Sequence, residues 1–445
     1  MPRLPLPVRR ISSSVPSTKD PDVFANSLRK TLEAHRSTNR ASLIRKVYPD
    51  APSPGLFRPY IPPENRAGYQ PPAPVLQTPE TKKSQATGDA FAFLDAEIQA
   101  LGCYLAPSPE EQNQVTRIST EVASLLEEAV PYPPKLIGLR PTGLALAHAS
   151  IEFILPFTDL PRSLGRTRRP SATRPEIRAA HTELLLRVEA ALKSSGAFYG
   201  YGLVGNNISL KVCHRPTGLK LRFYCGEGVP AITKYLQDYM VEFPALRPLF
   251  LGTRTLLEAR GLYGLVIENN ALLMLLVAFL KMNYGRFTGP HTLGYQLMDF
   301  LKLYGIEVDL RSVGVAVDPP GFFDNEALRA TDAKDHEPAW RRGQRSLMKT
   351  KRTALKQGNL SAAQRLCIQD PTHFMNNLGH TCIRTTELQS VFKTAYEQLS
   401  EACKKWDGPG QDGSILAAAL RASFDGFEER RRQITFRQRR PVNHV

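Results

Sequence analysis

GLRPTGLALAHASIEF, residues 138–153, runs from a Gly-rich turn into an apolar strand. Gly138 and the Thr142-Gly143-Leu144 triplet punctuate the turn. Ile151 and Phe153 then alternate with Ser150 and Glu152, which marks a strand with one apolar and one polar face. Two carboxylates spaced by one residue on such a polar face would point the same way and could bridge divalent cations. Here that face carries a hydroxyl and a single, longer carboxylate.

The stretch resembles the opening motif of the polymerase-β-like nucleotidyltransferases, in particular the noncanonical poly(A) and poly(U) polymerases. Their motif reads Gly-Ser, then Thr-x-Leu, then Ser-Asp-Ile-Asp. Gly138, Thr142, Leu144, Leu146, Ile151 and Phe153 fall in register with it. Leu139 stands where the family has its phosphate-binding Ser, and Ser150 and Glu152 stand where it has two aspartates. The family's third carboxylate comes from a neighbouring strand that resembles TGLKLRFYCGEG, 217–228, and its position falls on Arg222. The resemblance therefore implies a retained frame with a lost metal site, because a guanidinium repels the Mg²⁺ that hard oxygen ligands would hold. In the alternative register, Asp159 or Glu227 supplies the missing carboxylate, each lying beyond its strand.

The likeness continues downstream. PALRPLFLGTRTLLEARGL, 244–262, is similar to the helix that carries a triphosphate-binding lysine, with Arg254 at that position. VIENNALLMLLVAFLKM is similar to the next helix, which in the family opens Gly-Gly-x-x-Ser-Tyr and stacks its Tyr on the base. Asn269 and Asn270 occupy those two places. An amide gives no equal stacking platform, and an asparagine cap on a core helix is the preferred reading. HTLGYQLMDFLKLYGIEVDL, from 291, and LCIQDPTHFMNNLGH, 366–380, resemble the poly(A)-polymerase-associated domain. Asp370, Pro371, Asn376 and Asn377 match its signature, where Asp and Asn side chains tie loop backbone together. The implied fold is α+β: a nucleotidyltransferase palm of five mixed strands with helices, joined to a mainly helical central and poly(A)-polymerase-associated domain.

Composition points to a polyanionic partner. Lys and Arg outnumber Asp and Glu by 58 to 42, giving a net charge of +16 and a pI near 9.6. Six cysteines without a Cys-x-x-Cys pair support neither a zinc knuckle nor a redox motif. The longest apolar run, ALLMLLVAFL at 271–280, falls short of the ~18 residues that mark a membrane span and reads as a buried helix.

Residues 1–47 are rich in Arg and Ser and poor in acids, the composition of a mitochondrial transit peptide; a basic tail on a cytosolic or nuclear protein is the alternative. Residues 48–86 form a Pro-rich linker or arm. The palm with its preceding helices is expected over 87–230, and the helical domain over 231–400. Within the latter, 338–360 is a basic insert expected as a loop, and 401–445 is a C-terminal helix with a basic tail.

The site residues imply a catalytically inactive nucleotidyltransferase-like protein. Ser150, Glu152 and Arg222 are the degenerate catalytic positions, and Gly138, Leu139, Arg254, Asn269 and Asn270 the degenerate nucleotide cleft. No cofactor is expected. RNA or a ribonucleoprotein is the expected partner, such as the mitochondrial ribosome or an RNA-processing complex. Phosphate contacts are assigned to Arg341, Arg342, Arg345, Lys349, Lys351, Arg352 and Lys356, and to Arg430, Arg431, Arg432, Arg437, Arg439 and Arg440. Two other readings stand beside this one. One is an active terminal nucleotidyltransferase using Mg²⁺, a nucleoside triphosphate, Glu152 and an unidentified carboxylate. The other is a protein adaptor that does not touch RNA.

Overall fold

Alternating apolar residues on Ile151, Phe153 and Leu155, and on Leu221 and Phe223, build one core with the helical stripes Ile118–Val122 and Leu184–Val188–Leu192. The computed structural model describes residues 58–59, 89–157, 174–204, 209–329, 337–406 and 414–436, the side chains of 58–59, 174–176 and 436 excepted. The transit-like segment, the Pro-rich arm, Asp159 and Arg437, Arg439 and Arg440 lie outside the described residues.

The palm sheet contains β2 (Lys135–Ile137), β3 (Ile151–Pro156), β4 (Phe198–Val204), β5 (Ser209–His214) and β6 (Lys220–Gly226) in the order β2-β3-β6-β5-β4. Only β3 and β6 run parallel; the other pairs are antiparallel. This is the five-stranded mixed sheet expected from the sequence. Helices α2 (Pro109–Leu126) and α3 (Arg174–Ser194) pack on one face. Helix α2 starts at a capping box: Glu111 N donates to Ser108 Oγ at 3.2 Å, and Ser108 N to Glu111 Oε2 at 2.7 Å.

A second, larger core is helical. Helices α1 (Ala90–Leu105), α4 (Ala231–Glu242), α5 (Leu246–Ala259) and α7 (Leu293–Lys302) share this core with α6 (Asn269–Met282), which is buried all round from Ala271 to Leu280. A π-helical turn, Leu303–Glu307, continues α7 and lets Gly305 approach the main chain of Lys393 so closely that a Cβ would sit 2.5 Å from its nitrogen. The chain then forms the hairpin β7 (Gly314–Val317) and β8 (Pro320–Phe323), followed by α8 (Asn325–Arg329), α9 (Ala339–Lys356), α10 (Leu360–Ala363), α11 (Thr385–Lys404) and α12 (Ile415–Leu420). Strand β9 (Ala422–Ser423) pairs with β1 (Arg58–Pro59), and α13 (Asp425–Phe436) ends the described chain. Among the described residues no helix is long and apolar enough to cross a membrane.

One expectation is corrected here. Residues 341–356 do not form a loop; they lie in α9, which buries Gly343, Gln344, Leu347, Met348, Lys351 and Ala354. Those residues recur at helical spacing, so the basic run is one side of an amphipathic helix.

Two buried acids on α1 position other helices. Asp95 accepts from Leu293 N at 2.6 Å at the start of α7, and Glu97 Oε2 accepts from Leu416 N at 2.8 Å at the start of α12. Both meet amide groups that the helices themselves leave unpaired. Burial, opposed by bonds from Ser414 and the 415–416 amides, pushes Glu97 up from 4.5 to about 7. A native carboxyl that holds its proton more tightly than the unfolded one gives stability that is complete below about pH 4.5 and lost as pH rises towards 7. Glu97→Gln should therefore flatten the decline in melting temperature across that window, a contribution of up to about 3 kcal/mol. Thermal unfolding of both proteins as a function of pH measures it.

Candidate functional site

The 138–153 stretch joins the two cores: Leu144, Leu146 and Ala147 pack in the helical core, Ile151 and Phe153 in the palm core. Its turn is closed by Leu144 N to Leu139 O at 3.1 Å and Thr142 Oγ1 to the same carbonyl at 2.9 Å. Arg140 folds back over it, with Nε 3.4 Å from Ser150 O and Nη2 3.2 Å from Ala147 O, and a further bond to Ala149 O. Burial pulls Arg140 down to about 10, with Glu111 opposing. Leu139, at the family's phosphate-binding hydroxyl position, packs against the helical core.

Glu152 on β3 and Arg222 on β6 are direct partners in the parallel ladder, and Arg222 Nη1 lies 3.9 Å from Glu152 Oε1. Arg222 also donates to the Tyr224 hydroxyl at 3.0 Å. The Glu152 carboxylate sits against the Gly138 turn, where φ is +79° and a Cβ would come within 2.5 Å of Oε2. Burial raises the Glu152 pKa, with Arg222 opposing. Lys211 on β5 is the ladder partner of Arg222, and Cys213 that of Lys220. Lys211 is lowered by burial, then by repulsion from Arg222 and Lys220.

The helical side of the site is packed. Arg254 is only 8% exposed, lies over the Tyr263 ring at 4.7 Å and has Nε 3.6 Å from Glu258 Oε2. Tyr263 donates to Asn269 Oδ1. Burial raises Tyr263 to about 12, with Arg254 lowering it and Glu258 and Glu152 raising it. That coupling places Glu152 and Arg254 in one electrostatic neighbourhood. His148 is driven down to about 3 by burial, then by Arg254, Arg430, Arg140 and Lys220. The asparagine-cap expectation is corrected: Glu268 holds the N-cap position of α6, Asn269 begins the helix as acceptor for Tyr263, and Asn270 follows half-buried.

The family chemistry implies Mg²⁺ at Ser150, Glu152 and position 222. These residues do not fit it: one carboxylate is faced by a guanidinium, and Ser150 contributes its carbonyl to Arg140. Glu227, the alternative ligand on this strand, is exposed beyond the end of β6. Asp370 accepts from Thr372 N, Thr372 Oγ1 and Asn376 Nδ2 at 2.6–2.8 Å, and Asn377 Oδ1 accepts from Ile368 N and Gly379 N, both at 2.9 Å. These side chains tie the 366–380 loop together.

The basic blocks need two further corrections. Lys351 is buried and donates to Arg365 O, so it cannot reach a phosphate. Arg431 pairs with Glu111 at 2.8 Å, donates to Tyr104 O at 2.8 Å and lies over the Phe427 ring, holding α13 in place. Arg341 and Arg345 both reach Glu337, at 3.8 and 2.5 Å. Arg342, Lys349, Lys356 and Arg432 are exposed, and Arg352 and Arg430 half-exposed. The sequence reading missed Lys211 and Lys220, although strand alternation alone puts Lys211, Lys220 and Arg222 on the face of Glu152.

No family model matches the chain. It is 24% identical over 172 residues to poly(A) RNA polymerase cid14 of Schizosaccharomyces pombe, a match covering 37% of this chain and 21% of that protein. It is 26% identical over 196 residues to poly(A) RNA polymerase protein 1 of Eremothecium gossypii, covering 42% and 28%. The polymerase core of TRAMP, an RNA surveillance complex, superposes with a TM-score of 0.60 at 17% identity, covering 79% of this chain and 99% of that one. The chain has the nucleotidyltransferase fold of the noncanonical poly(A) and poly(U) polymerases.

The contact between the Gly138 turn and Glu152 is open to a double-mutant cycle. Gly138→Ala should destabilise by about 2–4 kcal/mol through the clash and the left-handed backbone. Made in a Glu152→Ala background, the same change should cost only the roughly 1–2 kcal/mol of backbone strain. Denaturant unfolding of the four proteins measures the coupling, and strict additivity would contradict the contact.

Proposed function

We propose that this chain is a catalytically inactive nucleotidyltransferase-fold protein that binds RNA or a ribonucleoprotein, and that it works in mitochondria. The observation that carries the reading is the pairing of Glu152 with Arg222 across β3 and β6. In this fold, charge on the transferred phosphoryl group is stabilised by metal ions held between carboxylates, and a cation in that position opposes metal binding. The packed Leu139 and the buried, paired Arg254 weaken the case for a triphosphate at the same place. Support for RNA comes from the names of the similar proteins, which are poly(A) RNA polymerases, and from the charge of +16. The mitochondrial part rests on the Arg- and Ser-rich, acid-poor composition of residues 1–47.

Purified protein incubated with labelled RNA, each nucleoside triphosphate and Mg²⁺ or Mn²⁺ is expected to leave RNA length unchanged. Loss of metal-held charge stabilisation removes orders of magnitude in rate. Metal-dependent 3′ extension that Glu152→Ala abolishes would establish an active transferase instead.

A fluorescent reporter carrying residues 1–50 should enter mitochondria, and replacing its arginines with glutamines should leave it outside. A reporter that stays cytosolic or becomes nuclear whatever its arginines removes the mitochondrial assignment.

A further inference from the structure

We propose that the cleft face of the palm binds the phosphodiester backbone of RNA directly and without metal, through Lys211, Lys220 and Arg222. This deepens, and rests on, the RNA-binding reading above. Where the family's chemistry calls for carboxylates around cations, this face presents cations around one carboxylate.

The register brings them together. Lys211 and Arg222 are ladder partners on β5 and β6, and Lys220 lies two residues before Arg222 on the same face. Their backbones are therefore about 5 and 7 Å apart. Like charges directly opposed on a sheet destabilise it. Among the described residues, neither lysine has a carboxylate within ion-pair distance, and Arg222 has only Glu152 at 3.9 Å. The repulsion registers in Lys211, lowered by burial and then by Arg222 and Lys220. Arg430 extends the strip, with Nη1 only 3.3 Å from where a Cβ on Gly218 would be, in the turn leading into β6. Lys211, Arg222 and Arg430 are half-buried and Lys220 is exposed, and a crowded set of cations facing one acid is an electrostatic arrangement that a bound polyanion relieves.

The other basic surfaces are weaker candidates. In α9 and α13, Lys351 and Arg431 are engaged within the fold, and Arg341 and Arg345 share Glu337. A metal-bound triphosphate is disfavoured at the strip because its cation would find a single carboxylate beside a guanidinium. Glu152 then acts as an internal anion that the phosphate displaces from Arg222.

The test is anisotropy of a short labelled oligouridylate with the full chain, across salt concentrations, in EDTA and in Mg²⁺. Binding should persist in EDTA. Lys211→Ala, Lys220→Ala and Arg222→Ala should each reduce the slope of log affinity on log salt by about 0.7, the share of one single-strand phosphate contact. Lys211→Arg and Lys220→Arg should keep the slope, which separates lost charge from lost folding. Glu152→Gln should strengthen binding about two- to fivefold, the range of a part-exposed ion pair. RNA binding with an unchanged slope in all three alanine variants would place the surface elsewhere and leave the RNA reading standing. A requirement for Mg²⁺, or weakening by Glu152→Gln, would show a metal-bridged site. Polyglutamate competing as well as unlabelled RNA would show a general acidic-protein surface, and no RNA binding even at low salt would remove the RNA reading itself.

Discussion

A parallel ladder leaves no freedom over which residues meet. Phe153 lies opposite Phe223 in the β3–β6 pairing, and their rings stack with centroids 5.2 Å apart and planes 15° from parallel. Slipping either strand by one residue would turn its phenylalanine out of the palm core and drive its charged neighbour, Glu152 or Arg222, into it. The burial of Ile151, Phe153, Leu155, Leu221 and Phe223 therefore puts positions 152 and 222 on one face whatever those residues are, and the Phe153–Phe223 register sets them against each other. The ion pair across them is a consequence of this register and not its cause. At 3.9 Å, with both side chains partly exposed, its attraction is minor beside the transfer of two phenylalanines from water.

The same logic holds the site between two bodies. The 138–153 stretch crosses from the helical core to the palm core, and α13 with the residue before it makes a second crossing, with Phe424 and Phe427 in the first core and Ile434 in the second. Arg431 fastens that crossing to α1 and α2 through Tyr104 O and Glu111. Gln237 on α4 adds a bond to Pro141 O at 3.2 Å. Glu111 thus serves twice, closing the capping box of α2 and receiving Arg431. Packing within the chain therefore positions the Glu152 side of the site relative to the Arg254 side.

Much of this was legible in the sequence because the residues concerned obey local rules. AFAFLDAEIQALGCYL, 90–105, has helical apolar spacing and is α1; Ser108-Pro109-Glu110-Glu111 is a helix-start sequence and opens α2; and apolar alternation on both sides of the turn-forming Arg215-Pro216-Thr217-Gly218 is the β5–β6 hairpin. What escaped was information of other kinds. Helix α9 was hidden because its buried stripe mixes Gly343 and Gln344 with Lys351, so charge density masked helical spacing. Strand β4, FYGYGLV, carries two glycines and a register shift between Tyr199 and Gly202, which blurs alternation. The role of Asn269 depends on Tyr263, and that of Arg431 on a residue 320 positions away. Neither partner could be found by local spacing.

Strand alternation also explains how the family's frame can persist while its site changes. Frame residues at 151, 153, 221 and 223 face the palm core, whereas 150, 152, 220 and 222 face away, so substitutions on the second face leave packing untouched. Only Gly138 links the two, since its turn has room for a carboxylate but not for a Cβ beside it. Arg222, at the position to which the resemblance assigns a third carboxylate, bears on more than one ligand. Beside Lys211 and Lys220 it changes the sign of the local field, and the half-buried surroundings screen that field poorly. His148 lies in a field of the same sign, because four other cations, Arg254 on α5, Arg430 on α13, Arg140 in the 138–150 turn and Lys220 on β6, depress its basicity after burial does. A field of that sign opposes divalent metal and attracts phosphate, so the two proposals, an inactive transferase and a metal-free phosphate surface, rest on the same residues.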